Sequence, residues 1–244
     1  MKNLLQIATK AAAAATAILK VNFLQDAQIV SQENKDIKTL ADVVAQNKIL
    51  EILAETNIPV IAEESTNTEN HLKELCWLID PLDGTLNFTR NFPMAAVSIA
   101  LWQKNQPLLG VIQDIHYNTV YTGIIGEGAW LNNEPMLVSK VADMRQAIIA
   151  TGFPSGRSYE TSSLLTFVQK VQQYKKVRML GSAALMLAQV AAGRFDAYEE
   201  EDIYLWDVAA GLALVKAAGG NIHFEKGSAP FKYKVVASNG NLNN

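Results

Sequence analysis

Apolar residues near the N-terminus recur at steps of four and three. Leu4, Ala8, Ala11, Ala15 and Ile18 fall on one face of a predicted helix spanning 3–31. A second helix is expected over 39–56, carried by Val43, Val44, Ile49, Leu50, Ile52 and Leu53. Pro59-Val60-Ile61 leads a short strand, and Ser65–Asn70 is a polar loop. Leu75–Ile79 reads as a buried strand that stops at Asp80-Pro81. Alternating and β-branched residues between Ala95 and Val138 predict a run of strands. Turns fall at Asn105-Gln106-Pro107, Asn118, Gly126-Glu127-Gly128 and Asn132-Asn133. Beyond about residue 140 the blocks alternate, with strands at Ile148–Ala150, Val177–Leu180 and Phe195–Glu199. Helices are expected at Glu160–Gln173, Ser182–Ala192 and Trp206–Ala218, the last closed by Gly219-Gly220 before a strand at Lys234–Ala237. Such a mixture belongs to the α/β (α+β) class, with sheets layered against helices. A boundary near residue 140 would divide the chain into 1–140 and 141–244.

Composition narrows the picture. The chain has 244 residues, 49% hydrophobic and 18% charged, with a formal net charge of −3. That is long enough to bury a sizeable core, and it excludes disordered, collagen-like and coiled-coil chains. A dedicated nucleic-acid binder would show a basic stripe, which this charge balance opposes. The single cysteine, Cys76, lies in the apolar run Leu75–Ile79, as expected of a core thiol in a reducing compartment. The start of the chain imitates a secretory signal, yet Gln6, Thr9, Lys10 and Lys20 interrupt it. An amphipathic helix retained in a cytoplasmic protein is the expectation, and no stretch approaches an uninterrupted membrane span.

The candidate chemistry centres on Asp80-Pro81-Leu82-Asp83-Gly84-Thr85. A hydrophobic strand delivers two carboxylates to its edge, Pro81 is expected to turn the chain between them, and the Leu82 carbonyl adds a third hard oxygen. Such ligands suit Mg²⁺. Gly84-Thr85 can begin a helical turn whose free N–H groups point at an anion. An ordinary Asp-Pro-x-Asp-Gly surface turn is the competing explanation.

Other acids bear on that choice. Glu63 and Glu64 follow a short strand, Asp42 opens the second helix, and Asp207 opens the last apolar helix, where each could be only a cap or a dipole partner. Glu199-Glu200-Glu201-Asp202 is the kind of run that usually forms a solvated loop. Clustered carboxylates repel one another unless a cation sits among them, which favours a multi-metal site. His71, His116 and His223 lack metal-ligand spacing, so zinc is a weak reading. Gly123-x-x-Gly126-x-Gly128 lies between strands and is better read as hairpin turns than as a nucleotide loop.

Together these segments resemble the inositol monophosphatase family of Mg²⁺-dependent, lithium-sensitive phosphatases. The resemblance runs from Asp36–Asp42 through Glu63-Glu64-Ser65 and Asp80–Phe88 to Leu180–Ala184, Trp206–Gly211 and Ala218-Gly219-Gly220. It implies a layered αβαβα sandwich of the sugar-phosphatase type, assembled as a homodimer. It also implies two or three Mg²⁺ per site. Glu63, Asp80 and the Leu82 carbonyl would hold a first ion, and Asp80, Asp83 and Asp207 a second. Asp42, Thr85 and Glu63 would be the catalytic residues, with Thr85 and Asp42 orienting or deprotonating the attacking water. Gly84 and Thr85 would contact phosphate, Gly181, Ser182 and Ala183 the substrate, and Glu200 a sugar or inositol hydroxyl. In this division 1–140 carries most metal ligands and 141–244 completes the site.

The chain departs from the family pattern at Leu86, where a second threonine is common, and at Ala62, where glycine usually precedes the glutamates. Ser31 stands near the place of a mobile-loop lysine, for which Lys35 is the nearby substitute. Asp83-Gly84-Thr85-Leu86 also resembles haloacid-dehalogenase phosphatases. Their nucleophile would fall at Pro81, however, so attack by water is expected instead. The expected substrate is a phosphate monoester of inositol or a related small polyol, a reading that Asn87-Phe88 and Glu200 favour. A 3′-phosphoadenosine nucleotide or fructose 1,6-bisphosphate is the alternative within the superfamily. A non-catalytic binding protein retaining the fold is the alternative outside it. Neither a nucleic acid nor a membrane is an expected partner.

Overall fold

A computed structural model describes residues 1–22, 29–33, 36–63, 65, 69–153 and 160–243; for 22, 29–33, 36–38, 70 and 71 only the backbone is described. Lys35 and Glu64 therefore lie outside the described residues, as do the side chains of Ser31 and His71. The first helix, α1 (Lys2–Asn22), is shorter than the predicted 3–31. The remainder includes β1 (Ile29–Glu33), which pairs antiparallel with β2 (Asp36–Thr39). Helix α2 (Leu40–Leu53) follows, extended by a 3-10 turn at Ala54–Thr56.

The large sheet has seven strands in the order β3 (Val60–Ala62), β4 (Cys76–Asp83), β5 (Ala96–Gln103), β6 (Gln106–Asp114), β7 (Val120–Ile124), β8 (Gly128–Leu131) and β9 (Glu134–Pro135). All pairs are antiparallel except β3–β4. Consecutive strands are neighbours, so each turn signal between 95 and 138 joins two adjacent strands. A short helix, α3 (Thr85–Thr89), interrupts the run directly after β4.

The second sheet draws on β10 (Ile148–Ala150), β11 (Lys176–Arg178), β12 (Ala197–Tyr204), β13 (Asn221–Lys226) and β14 (Lys232–Ser238), in the order β11-β10-β12-β14-β13. Helices α4 (Thr161–Val171), α5 (Ala183–Ala191) and α6 (Leu205–Ala217) connect them. Two of the predictions differ here. The acidic run 199–202 is not a loop but part of β12, with Glu200 buried. Residues after Gly220 form a further strand, β13, whose alternating exposure kept it from reading as core.

Burial follows these layers. The Ala8, Ala11, Ala12, Ala15 and Leu19 face of α1 packs with α2 against one face of the large sheet, where Trp77, Ile79, Val97 and Ile99 point. By length and composition alone α1 could cross a membrane, but this face is buried in the protein. The opposite face, with Cys76, Leu78, Ala96 and Ala100, packs on α5 and α6, which are covered in turn by the second sheet. Helix α4 covers that sheet's outer side through the Phe153–Phe167 ring contact at 4.6 Å and the Lys170–Glu199 ion pair. The result is an αβαβα sandwich. Close packing of α6 on β6 depends on Gly110, where a Cβ would lie 2.4 Å from the Ala210 carbonyl oxygen.

Candidate active site

Strand β4 does not stop at Asp80. It continues to Asp83 through a bulge: Asp80 pairs with Ser98 and Asp83 with Ala96, so Pro81 and Leu82 together oppose Val97. Ser98 and Ala96 are two apart on β5 and share a face. Their partners therefore share it too, and both carboxylates project into the layer of α5 and α6. Leu82 points the other way, into the core against α1 and α2. The two aspartates converge as expected, but by an extra residue within a strand rather than by a turn at Pro81.

Three further segments bring acids to this edge. Glu63 follows β3, and its backbone N–H donates to the Ile79 carbonyl at 3.2 Å, which extends the ladder beside Asp80. Asp207 lies in the first turn of α6 and accepts a hydrogen bond from the backbone of Tyr204, the residue before the helix. Asp42 has the same place in α2, where its Oδ2 accepts from the Thr39 N–H and hydroxyl at 2.6 Å each. In both helices a third-position aspartate caps the N-terminus and faces the site. Cap and site residue are thus not alternatives.

Thr85 joins the two sides. Its hydroxyl lies 3.2 Å from Asp42 Oδ1 and 3.0 Å from the Leu82 carbonyl oxygen, so one proton is shared between two acceptors. Asp83 is tied to α5. Its Oδ2 accepts from the Ser182 hydroxyl and, at 2.9 Å, from the Ala184 N–H, while Oδ1 accepts from the Ala183 N–H at 3.3 Å. The donors expected to meet substrate at Ser182 and Ala183 are therefore engaged by a carboxylate of the chain itself. Ala184, which sequence reasoning missed, belongs to this set. Glu200 is buried on β12 and accepts from the Tyr198 hydroxyl at 2.8 Å.

The electrostatics among the described residues are those of crowded, mutually repelling acids. Burial first, then the charges of Glu63, Asp83 and Asp207, hold Asp80 well above the usual carboxylate range. Asp207 is raised by burial and by Glu63, Asp83 and Glu200. Burial pushes Asp83 up to about 6, against the opposing hydrogen bonds from Ser182, Ala184 and Ala183. Among the described residues, no lysine or arginine contributes to these shifts. Buried, mutually repelling oxygen donors of this kind fit a hard divalent cation. Among the described residues, however, no three His, Cys, Asp or Glu side chains lie close enough together to hold a metal ion as they stand. Asp83 turns both its oxygens to α5.

Asn87, whose pairing with Phe88 favoured an inositol substrate, is occupied by the fold. Its amide donates to the carbonyls of Met94 and Leu180, and Phe88 is buried. Leu86 is 53% exposed beside it, so the departure from threonine places an apolar side chain at the surface next to Thr85.

The inositol monophosphatase family model matches residues 1–244. Ions of Mg²⁺ are generally used in that family. The chain is 38% identical over 232 residues to the Nus factor SuhB of Xylella fastidiosa, covering 93% of this chain and 84% of that protein. The solved inositol monophosphatase from Anabaena (Nostoc) sp. PCC 7120 superposes with a TM-score of 0.82 at 34% identity, covering 98% of this chain and 92% of that one. The inositol monophosphate-bound structure of SaIMPase-II gives 0.82 at 26% identity, covering 98% and 90%. With the layered sandwich and a full-length family match, the chain belongs to the inositol monophosphatase family.

Proposed function

We propose that this protein is a Mg²⁺-dependent phosphatase that hydrolyses a phosphate monoester of inositol or a related small polyol. The observation that carries the reading is the β4 bulge, which turns Asp80 and Asp83 to one side, towards Asp207. In this reading Glu63, Asp80 and the Leu82 carbonyl hold one ion, and Asp80, Asp83 and Asp207 another. When bound, Mg²⁺ supplies positive charge that offsets these acids and the phosphoryl oxygens, and it acidifies water.

The remaining work falls to the chain. Asp42, fixed by its two bonds from Thr39, accepts the Thr85 proton. The lone pairs of Thr85 Oγ1 are then turned to a water, which they orient for in-line attack on phosphorus. Glu63 stands at the same edge to draw off the proton of that water. The phosphorus–oxygen ester bond breaks with its electron pair going to the polyol oxygen, which takes a proton from solvent water, while the proton on Glu63 returns to solvent. Backbone N–H groups at Gly84 and Thr85 hold the phosphate, Gly181 lines the substrate path, and Glu200 accepts from a polyol hydroxyl. A homodimer in the cytoplasm, inhibited by lithium, completes the proposal.

The related SaIMPase-II has been solved with inositol monophosphate and, in a second structure, with 2′AMP, which keeps a nucleotide phosphate in the test. Phosphate release should be measured side by side from inositol 1-phosphate, fructose 1,6-bisphosphate and 3′-phosphoadenosine 5′-phosphate, with Mg²⁺ and with EDTA. Fastest release from the inositol ester, abolished by EDTA, is expected. Preference for either other substrate would reassign the substrate. The Nus factor name of the curated relative favours a second reading, a binding factor that kept the fold. No release from any ester would select it.

A further inference from the structure

We propose that Asn87 is a positioning residue, which locks the Asp83–Thr85 turn to the entrance of α5 and so holds the two halves of the site in register. Its kinetic consequence rests on the phosphatase reading above; its geometry does not.

Three separate stretches of chain meet at this side chain. Asn87 Nδ2 donates one hydrogen to the Met94 carbonyl at 2.9 Å and the other to the Leu180 carbonyl at 2.7 Å. The backbones it joins have no side chains between them. Gly84, at φ +85°, approaches so closely that a Cβ would lie 2.6 Å from the Met94 oxygen and 3.2 Å from the Gly181 oxygen. Gly181, at φ +74°, would place a Cβ 2.9 Å from Asn87 Nδ2 itself.

Directly after Gly181 come Ser182, Ala183 and Ala184, the donors that hold the Asp83 carboxylate. A closed loop of contacts results: Asp83 to the α5 entrance by its carboxylate, and the α5 entrance back to the turn by Asn87. With one link cut, the α5 entrance could shift against Asp83 and Thr85. Misplacement of about 1 Å can cost about a hundredfold in rate. A carboxylate of the same shape cannot substitute, because it would turn lone pairs towards two carbonyl oxygens.

Asn87→Asp tests this without changing side-chain volume. Its kcat on inositol 1-phosphate is expected to fall at least about tenfold while KM stays within about threefold. Thr89→Ala, in the same helical turn, should keep both constants, since Thr89 donates locally to the Leu86 carbonyl. Asn87→Asp and Ser182→Ala act through one element, so their combined loss should be smaller than the product of the separate losses.

Independent of activity, amide exchange at Ala184 should quicken in Asn87→Asp relative to Leu212 in α6. Unchanged kcat with unchanged Ala184 protection would overturn the proposal, as would losses that simply multiply. Should Asn87→Asp fail to fold, Gly181→Ala reads the same link from its other side. Quickened Ala184 exchange there supports the lock, and retained protection overturns it. If the unaltered protein releases no phosphate, the phosphatase reading fails and the exchange measurement alone decides.

Discussion

The hydroxyl of Ser182 donates to the carboxylate of Asp83 across 99 positions of sequence. The same oxygen accepts the Leu185 N–H at 3.2 Å, so it caps α5 while fixing a residue of β4. Ser182→Ala removes both functions and leaves Asp83 with fewer donors. A destabilisation of about 1–3 kcal/mol is expected, read as a lowered urea midpoint at constant slope. An unmoved midpoint would show that the bond adds nothing to stability.

Stability without divalent cations should fall as pH rises from about 4 to about 6, the interval over which Asp83 is raised. The sign follows from the site acids. Asp80, Asp83 and Asp207 are raised above their unfolded values, so the folded state binds more protons than the unfolded state. Their cost is absent below the ordinary carboxylate range, grows as pH climbs from that range to the folded values, about 6 for Asp83, and is constant above them. Thermal melts in EDTA should show this slope, and saturating Mg²⁺ should flatten it. A melting temperature that rises over the same interval in EDTA would contradict the electrostatics described.

Asp207→Asn should remove turnover by several orders of magnitude if the residue is a metal ligand. In EDTA the same variant should melt at or above the temperature of the unaltered protein, because an acid disfavoured by burial and by its acidic neighbours is gone. Opposite movement of activity and stability separates this role from a general folding defect. Near-normal turnover would remove Asp207 from the site.

Glu200→Gln keeps an oxygen that can accept the Tyr198 hydroxyl but loses the charge facing Asp207. The expected change is in selectivity: the ratio of kcat/KM between inositol 1-phosphate and the two alternative substrates should shift at least about tenfold. An identical ratio would take Glu200 out of substrate recognition.

Gly110→Ala tests the packing that positions Asp207. The added methyl would meet the Ala210 backbone, and a loss of about 1–3 kcal/mol is expected by chemical denaturation. A neutral effect would mean that α6 can lift from β6 without cost.

Periodicity located most elements because their burial is one-sided or complete. Leu75–Ile79, the strands from 95 to 138 and the α5 and α6 segments are strongly apolar and carry clear turn or cap signals. The misreadings share a cause. Residues 199–202 look solvated as a row of acids, yet strand alternation buries Glu200 and leaves its neighbours more exposed. Asp80-Pro81 looks like a stop, because nothing local announces a bulge whose register is set by the partner strand. Residues 221–226 are too polar to read as core. Among the site residues, the acids were legible by type and by strand-edge or helix-start position. The engagement of Ser182 and Ala183 with Asp83 was not, since it depends on two segments meeting in space.

The pairing of Pro81 and Leu82 against the single Val97 acts as a counting device. Paired one-to-one with β5, the same residues would invert strand parity: Asp83 would swing towards the outer helices and Leu82 would enter the acidic layer. The amino-acid sequence would be the same, yet the chemistry would be undone. The frame of this segment therefore constrains the molecule more tightly than the identity of either residue within it.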